Sequence, residues 1–183
     1  DGFAGHGVVP AYEMKRSSVF KTSTDLGTYN HHSSLVKWKG EFWCGWDNCM
    51  VNEDWPGQRT FIAHSKDAVN WSERILVADG DEANGMVRTL SGLYAKGDTL
   101  YAFIQERGDL VHAPTSGMSA HDSMKGSMRN DLCATCNGQD WEMVKEGYAD
   151  VLWMFKNPRL TAEGRLMACH HQRPQAGRFP VVG

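Results

Sequence analysis

Residues 29–71 read YNHHSSLVKWKGEFWCGWDNCMVNEDWPGQRTFIAHSKDAVNW. The apolar runs on either side of Lys39-Gly40 alternate in character and are joined by a tight glycine turn, the pattern of a β-hairpin. A polar loop follows, then a third apolar run that ends in a Ser-x-Asp turn and a tryptophan. The hairpin recurs. LYAKGDTLYAF at 93–103 and LTAEGRLMACH at 160–170 repeat LVKWKGEFWCGW at 35–46, with glycines at 40, 97 and 164, which are 57 and 67 residues apart. A second repeat rides on the first: Ser65–Trp71 matches Thr135–Trp141 at a constant offset of 70, and Arg59 matches Arg129 at the same offset.

The second repeat is a degenerate Asp-box, SxDGxxW. Its hydroxyl and its Asp or Asn side chain can bond turn backbone groups, and a small residue suits the unusual backbone angles. Its role is structural. Repeats of this size without helical periodicity point to propeller blades of four antiparallel strands. Blade one is expected to place strands near 33–38, 41–47, 58–64 and 70–77. Blade two should place them near 89–95, 98–104, 129–135 and 140–146, and blade three begins around Val151 to Ala162. The expected division is an N-terminal segment at 1–28 and blades at 29–80, 81–148 and 149–183, the last incomplete. About three blades cannot close a ring of the usual four to eight. The expectation is therefore a fragment of a larger propeller, or a chain that closes with a second chain.

Composition narrows the function classes. The 183 residues are 41% hydrophobic and 22% charged, ordinary for a globular domain. Lys and Arg number 19 against 22 acids, a net charge of −3, so nucleic acid is not an expected partner. No apolar run is long enough to cross a bilayer, and DGFAGHGVVP lacks the pattern of a signal peptide. The five cysteines, at 44, 49, 133, 136 and 169, leave pairing open. Cys44 and Cys49 could bridge, and Cys133-x-x-Cys136 could be a disulfide, half of a metal site or two strand residues. A zinc site drawing on Cys169 and His170 lacks the second ligand pair at standard spacing.

Strand parity sorts the polar residues. In a four-stranded meander the first and third turns share one end, so the glycine turns and both Asp-boxes fall together. Asn30, His31, His32, the loop from Asp47 to Arg59, Arg88, the loop from Gln105 to Arg129, Asn157 and the run His170 to Arg173 fall at the other end. Loops on a rigid scaffold are where binding and catalysis concentrate. In a regular strand His31 and His32 point to opposite faces, so at most one of them readily faces the propeller axis, where it is either a catalytic group or a hydrogen-bonded interior one. Asp47, Glu53 and Asp54 are either a solvated loop or a carboxylate set for glycoside cleavage. Arg59 and Arg129, at one repeat position, read as structural partners, although Arg59 also adjoins the polar loop. Trp55 beside Pro56 could stack on a sugar ring. His112 and His121 fall in a Met/Ser-rich insertion, read as a mobile loop or a lid.

YNHHSSLVKWKGEFWCGWDN, NEDWPGQR and SKDAVNW resemble the opening blades of sialidase-like propellers, in particular polysaccharide lyases acting on rhamnosyl-glucuronate linkages, including ulvan lyases. RTLSGLYAKGDTLYAFI and NPRLTAEGRLMACHH resemble the next two blades. The resemblance covers Tyr29 to Arg173 and departs from the pattern at Ser33, where proline is expected, at Ala68, where the Asp-box has glycine, and at 108–130. It implies a seven-bladed, secreted or periplasmic propeller that cleaves beside a uronic acid by β-elimination of an acidic polysaccharide. A hydrolase or a non-catalytic carbohydrate-binding propeller is the alternative. Elimination needs a base, a group that neutralises the uronate carboxylate, and an acid for the departing oxygen. The expected catalytic residues are His31, with His32 beside it, and Arg59. Arg88 is a second candidate for the carboxylate. Asn48, Gln58 and Arg173 are candidates for sugar hydroxyls, Tyr94 for the acid, and Trp55 and His170 for substrate contact. No cofactor is expected, a structural metal ion being left open.

Overall fold

The computed structural model describes residues 16–108, 128–148 and 153–171. Among them the chain is all β. Strands β1 (Tyr29–Trp38), β2 (Glu41–Cys49), β3 (Arg59–Ser65) and β4 (Ile75–Ala78) form one antiparallel sheet in sequential order. A second sheet repeats it with β5 (Val87–Lys96), β6 (Thr99–Arg107), β7 (Met128–Thr135) and β8 (Glu142–Lys145). A third begins as the hairpin β9 (Trp153–Leu160) and β10 (Leu166–His171). These are the expected blades of a β-propeller: two four-stranded meanders and the inner hairpin of a third.

The blades stack because each presents an apolar face to the next. Trp43, Ile62, Leu90, Leu93, Leu100 and Ile104 are all buried in the shared core of blades one and two. Gly45 makes room there: a Cβ at this position would stand 2.8 Å from the Leu90 side chain, which would have to shift. The opposite face of blade one is covered by residues 16–28. Phe20 stacks on Trp46 with ring centroids 5.5 Å apart, and Arg74 lies over Phe20 while donating to the Leu26 carbonyl at 2.9 Å.

Both Asp-boxes form the same local network. Asp67 Oδ1 accepts from the backbone N–H groups of Val69 and Asn70 at 2.9 and 2.8 Å, and Asn137 Oδ1 accepts from those of Gln139 and Asp140 at 2.8 and 2.9 Å. Four donors hold the exposed Asp67 carboxyl far below the usual carboxylate range. The small residue of each box takes the left-handed conformation, Ala68 at φ 58° and Gly138 at φ 82°. The structural reading of these turns holds.

The register corrects three expectations. The hairpins close on Trp38↔Glu41 and Lys96↔Thr99, which sets blades one and two 58 residues apart in these strands rather than the 57 between Gly40 and Gly97. The glycines occupy different turn positions: Lys39 and Gly40 both have positive φ in the first turn, whereas Gly97 is the first loop residue of the second. Strand β1 begins at Tyr29, four residues earlier than expected, and carries a bulge between His31 and Ser34. Within that bulge His32 adopts φ 49°, so the alternation of faces breaks. His31 and His32 therefore do not point apart. Their rings lie 4.0 Å centroid to centroid.

All five cysteines are unpaired thiols. Burial pushes the Cys44 and Cys133 thiols up to about 11, which makes them inert packing groups.

Candidate functional site

Three segments build the mouth of blade one: the start of β1, the end of β2 and the loop from Met50 to Gln58. Their conformations are fixed from within. Asp47 is fully buried, and its Oδ1 accepts from Leu90 N of the next blade at 2.6 Å and from the Thr60 hydroxyl at 3.3 Å. Its Oδ2 is 2.9 Å from His32 Nδ1. One carboxylate thus ties blade one to blade two and orients an imidazole. Burial pushes the Asp47 carboxyl up to about 6, against the pull of these hydrogen bonds, and the bond to Asp47 raises the pKa of His32. Both groups of the pair thus hold their protons to higher pH than they would in water.

His31, half exposed, sits beside that pair. Its Nδ1 lies 3.2 Å from Glu53 Oε1 and 3.2 Å from the Tyr29 hydroxyl. Tyr29 also bonds Glu53, and its phenol is raised well above its ordinary pKa, first by burial and then by the Glu53 charge. At neutral pH it is a proton donor. Tyr29, His31 and Glu53 form a continuous acid–base chain, with the His32–Asp47 pair against its side. Neither Tyr29 nor the role of Asp47 was legible in the sequence; the signal for Tyr29 was its period-two relation to His31. A cleft of ≈ 420 Å³ opens beside these histidines, lined by Val19, Phe20, Thr22, Asn30, Ser33, Cys44 and Trp46.

The structure distributes the other expected residues unevenly. Trp55 is half-buried on the mouth loop, its carbonyl accepting from Gln58 N at 3.0 Å. Asn48 is interior, donating to the Gly27 carbonyl and to Asn30 Oδ1. Gln58 is interior as well, bonding Asp54 N at 2.9 Å and the Thr89 hydroxyl at 3.0 Å. Both are framework groups. Arg59 turns to the face opposite Asp47, its guanidinium 5.6 Å from the Phe61 ring centre. Arg88 is ion-paired with Glu106. Tyr94 faces Tyr101 near the Gly97 turn, at the far end from His31. His170 lies in β10 opposite Met154, and its side chain, like the whole of Arg173, lies outside the described residues. His112 and His121 lie outside them too. Of the three carboxylates, Asp47 and Glu53 each meet a histidine, whereas Asp54 is taken by the buried Arg107.

The family model described as Beta-prop_BT_1020:-like, N-terminal beta propeller, matches residues 7–108. The chain belongs to this family. Among solved structures it is similar to Trypanosoma rangeli sialidase in complex with sialic acid, at a TM-score of 0.53, and to the same enzyme in complex with 2-keto-3-deoxy-D-glycero-D-galacto-2,3-difluoro-nononic acid, at 0.52. Both are 13% identical to it, over 76% of this chain and 25% of theirs. The likeness shows the sialidase-like propeller fold, and the chain spans about a quarter of the length of those structures. None of the curated proteins matches the sequence.

Proposed function

We propose that this propeller is a carbohydrate-active enzyme acting on an acidic polysaccharide by β-elimination, with the mouth of blade one as its acid–base centre. The observation that carries this reading is the Tyr29–His31–Glu53 chain, in which an imidazole and a proton-bearing phenol lie 3.2 Å apart at the open end of the blade. Glu53 orients His31 through Nδ1, and Nε2 then takes the C5 proton of the uronate. The electron pair forms the C4–C5 double bond, the C4–O4 bond breaks, and Tyr29 donates its proton to O4. His32, whose bond to Asp47 favours the protonated ring, takes the part of the cation facing the uronate carboxylate, a part that Arg59 and Arg88 do not fill, and Trp55 offers a face for a sugar ring. The acidic substrate and a secreted or periplasmic location belong to this reading.

One observation favours hydrolysis as the second reading: Tyr29 bonds a carboxylate, Glu53, the pairing by which a phenol can be activated as a nucleophile. The two differ in product. Elimination creates a conjugated double bond that absorbs in the ultraviolet, and hydrolysis yields a reducing end without it. Reducing ends without absorbance from a uronate-containing polysaccharide would overturn the elimination reading.

A further inference from the structure

We propose that His31, His32 and Glu53 form a binding site for a zinc-class divalent ion. One ligand atom from each of the three lies within 4.8 Å of the others. In a tetrahedral zinc site, ligands at about 2.0–2.1 Å from the ion stand roughly 3.4 Å apart, so a modest contraction closes the shell. The side chains can make it, since those of His31 and Glu53 are 51% and 43% exposed. Two imidazoles and a carboxylate select zinc, nickel or copper over calcium, which takes oxygen ligands alone. Three protein ligands also leave a fourth position for water or substrate.

The surroundings fit as well as the donors. A metal-binding histidine characteristically engages a carboxylate through its other ring nitrogen, which fixes tautomer and ring orientation. His32 does so, with Nδ1 at 2.9 Å from Asp47, and Asp47 is itself held by Leu90 N and Thr60. The ligand atom of His32 is then Nε2. The bulge of β1 is what makes the pair: with His32 at φ 49° the two rings lie side by side, where a regular strand would send them to opposite faces.

An ion held there engages the lone pair of His31. Added zinc is accordingly expected to inhibit turnover, a consequence that rests on the acid–base reading above, whereas the site itself does not. The test is calorimetric titration of the chelator-dialysed 183-residue chain with Zn²⁺ alone, repeated with Co²⁺ to read coordination from its visible absorption. One ion per chain is expected, with tetrahedral cobalt bands. Affinity should fall at least about tenfold in His31→Gln and in Glu53→Gln, both at exposed side chains, and stay unchanged in Cys136→Ser. No saturable binding, or equal affinity in the two ligand variants, would overturn the site. Substrate is absent from this titration. Zinc binding without any cleavage of polysaccharide therefore counts against the proposed function alone, and cleavage without zinc binding against the metal site alone.

Discussion

Blades one and two share a meander, an Asp-box and a repeat of 58 residues along their inner hairpins, yet their mouths are built from opposite chemistry. Among the described residues, the mouth of blade two is a set of ion pairs. Arg88 meets Glu106, and Arg129 meets Glu106 at 3.1 Å, Asp131 at 2.8 Å and Glu146 at 3.4 Å. Each of these charges has an opposite partner, and such networks fix geometry. The mouth of blade one instead gathers two imidazoles, a phenol and two carboxylates. The difference comes from position: Asp47 of blade one is matched in the repeat by Gln105 of blade two, a neutral buried amide. The scaffold is common to both, and among the described residues of the two blades the paired imidazoles stand at the mouth of blade one.

The contrast can be broken first at Asp47. Asp47→Ala strips the acceptor from Leu90 N and the partner from His32, and should cost about 3–5 kcal/mol of folding stability, the range for breaking a buried ionic contact. Urea unfolding measures it. A loss below about 1 kcal/mol would mean that the carboxylate does not hold the two blades together.

The next largest effect lies in the Asp-boxes. Gly138 has φ 82° and packs against the ring of Trp43, so Gly138→Ala puts a methyl into that indole as well as into a strained backbone region. A loss of about 2–3 kcal/mol is expected. The matching position in blade one, Ala68 at φ 58°, already bears that strain, so Ala68→Gly should gain about 1 kcal/mol. Thermal melts of the two variants should therefore move in opposite directions.

A smaller effect is the pH dependence of stability. Burial raises Asp47 to about 6, and the hydrogen bond to Asp47 raises His32. In the folded chain both retain protons that the unfolded chain has released, so the folded state binds more protons and stability falls as pH rises. The window opens near the unfolded carboxylate value of about 4 and closes above the raised value of His32. The contribution of the pair to the melting temperature should decline across it, read as the difference between the wild type and the His32→Gln, Asp47→Asn double variant. A contribution that rises over this interval would contradict the environment described for the pair.

The fold was legible because its signals are local. A glycine turn between alternating runs and a hydroxyl-x-Asp turn before tryptophan each specify their own geometry, and their recurrence gives the blades. The register was legible only to within a residue, since glycine occupies different positions in the turns at 39–40 and 97–98. The site was harder to read. His31 and His32 stood out as a pair, but a bulge with a non-glycine residue at positive φ leaves no mark in the residue pattern, so their convergence was hidden. Asn48 and Gln58 looked like mouth residues by parity, and they are at the mouth end. Their side chains are interior because residues 16–28 and Thr89 supply their partners, contacts that arise only when the chain is folded.

The most direct measurement is ultraviolet absorbance during digestion of a uronate-containing polysaccharide by the chain and by His31→Ala. The acid–base role of His31 predicts a growing signal from the wild type and a rate lower by about 10²–10⁴ in the variant, with the fold intact. An equal rate in the two proteins, or no product from either, would contradict it.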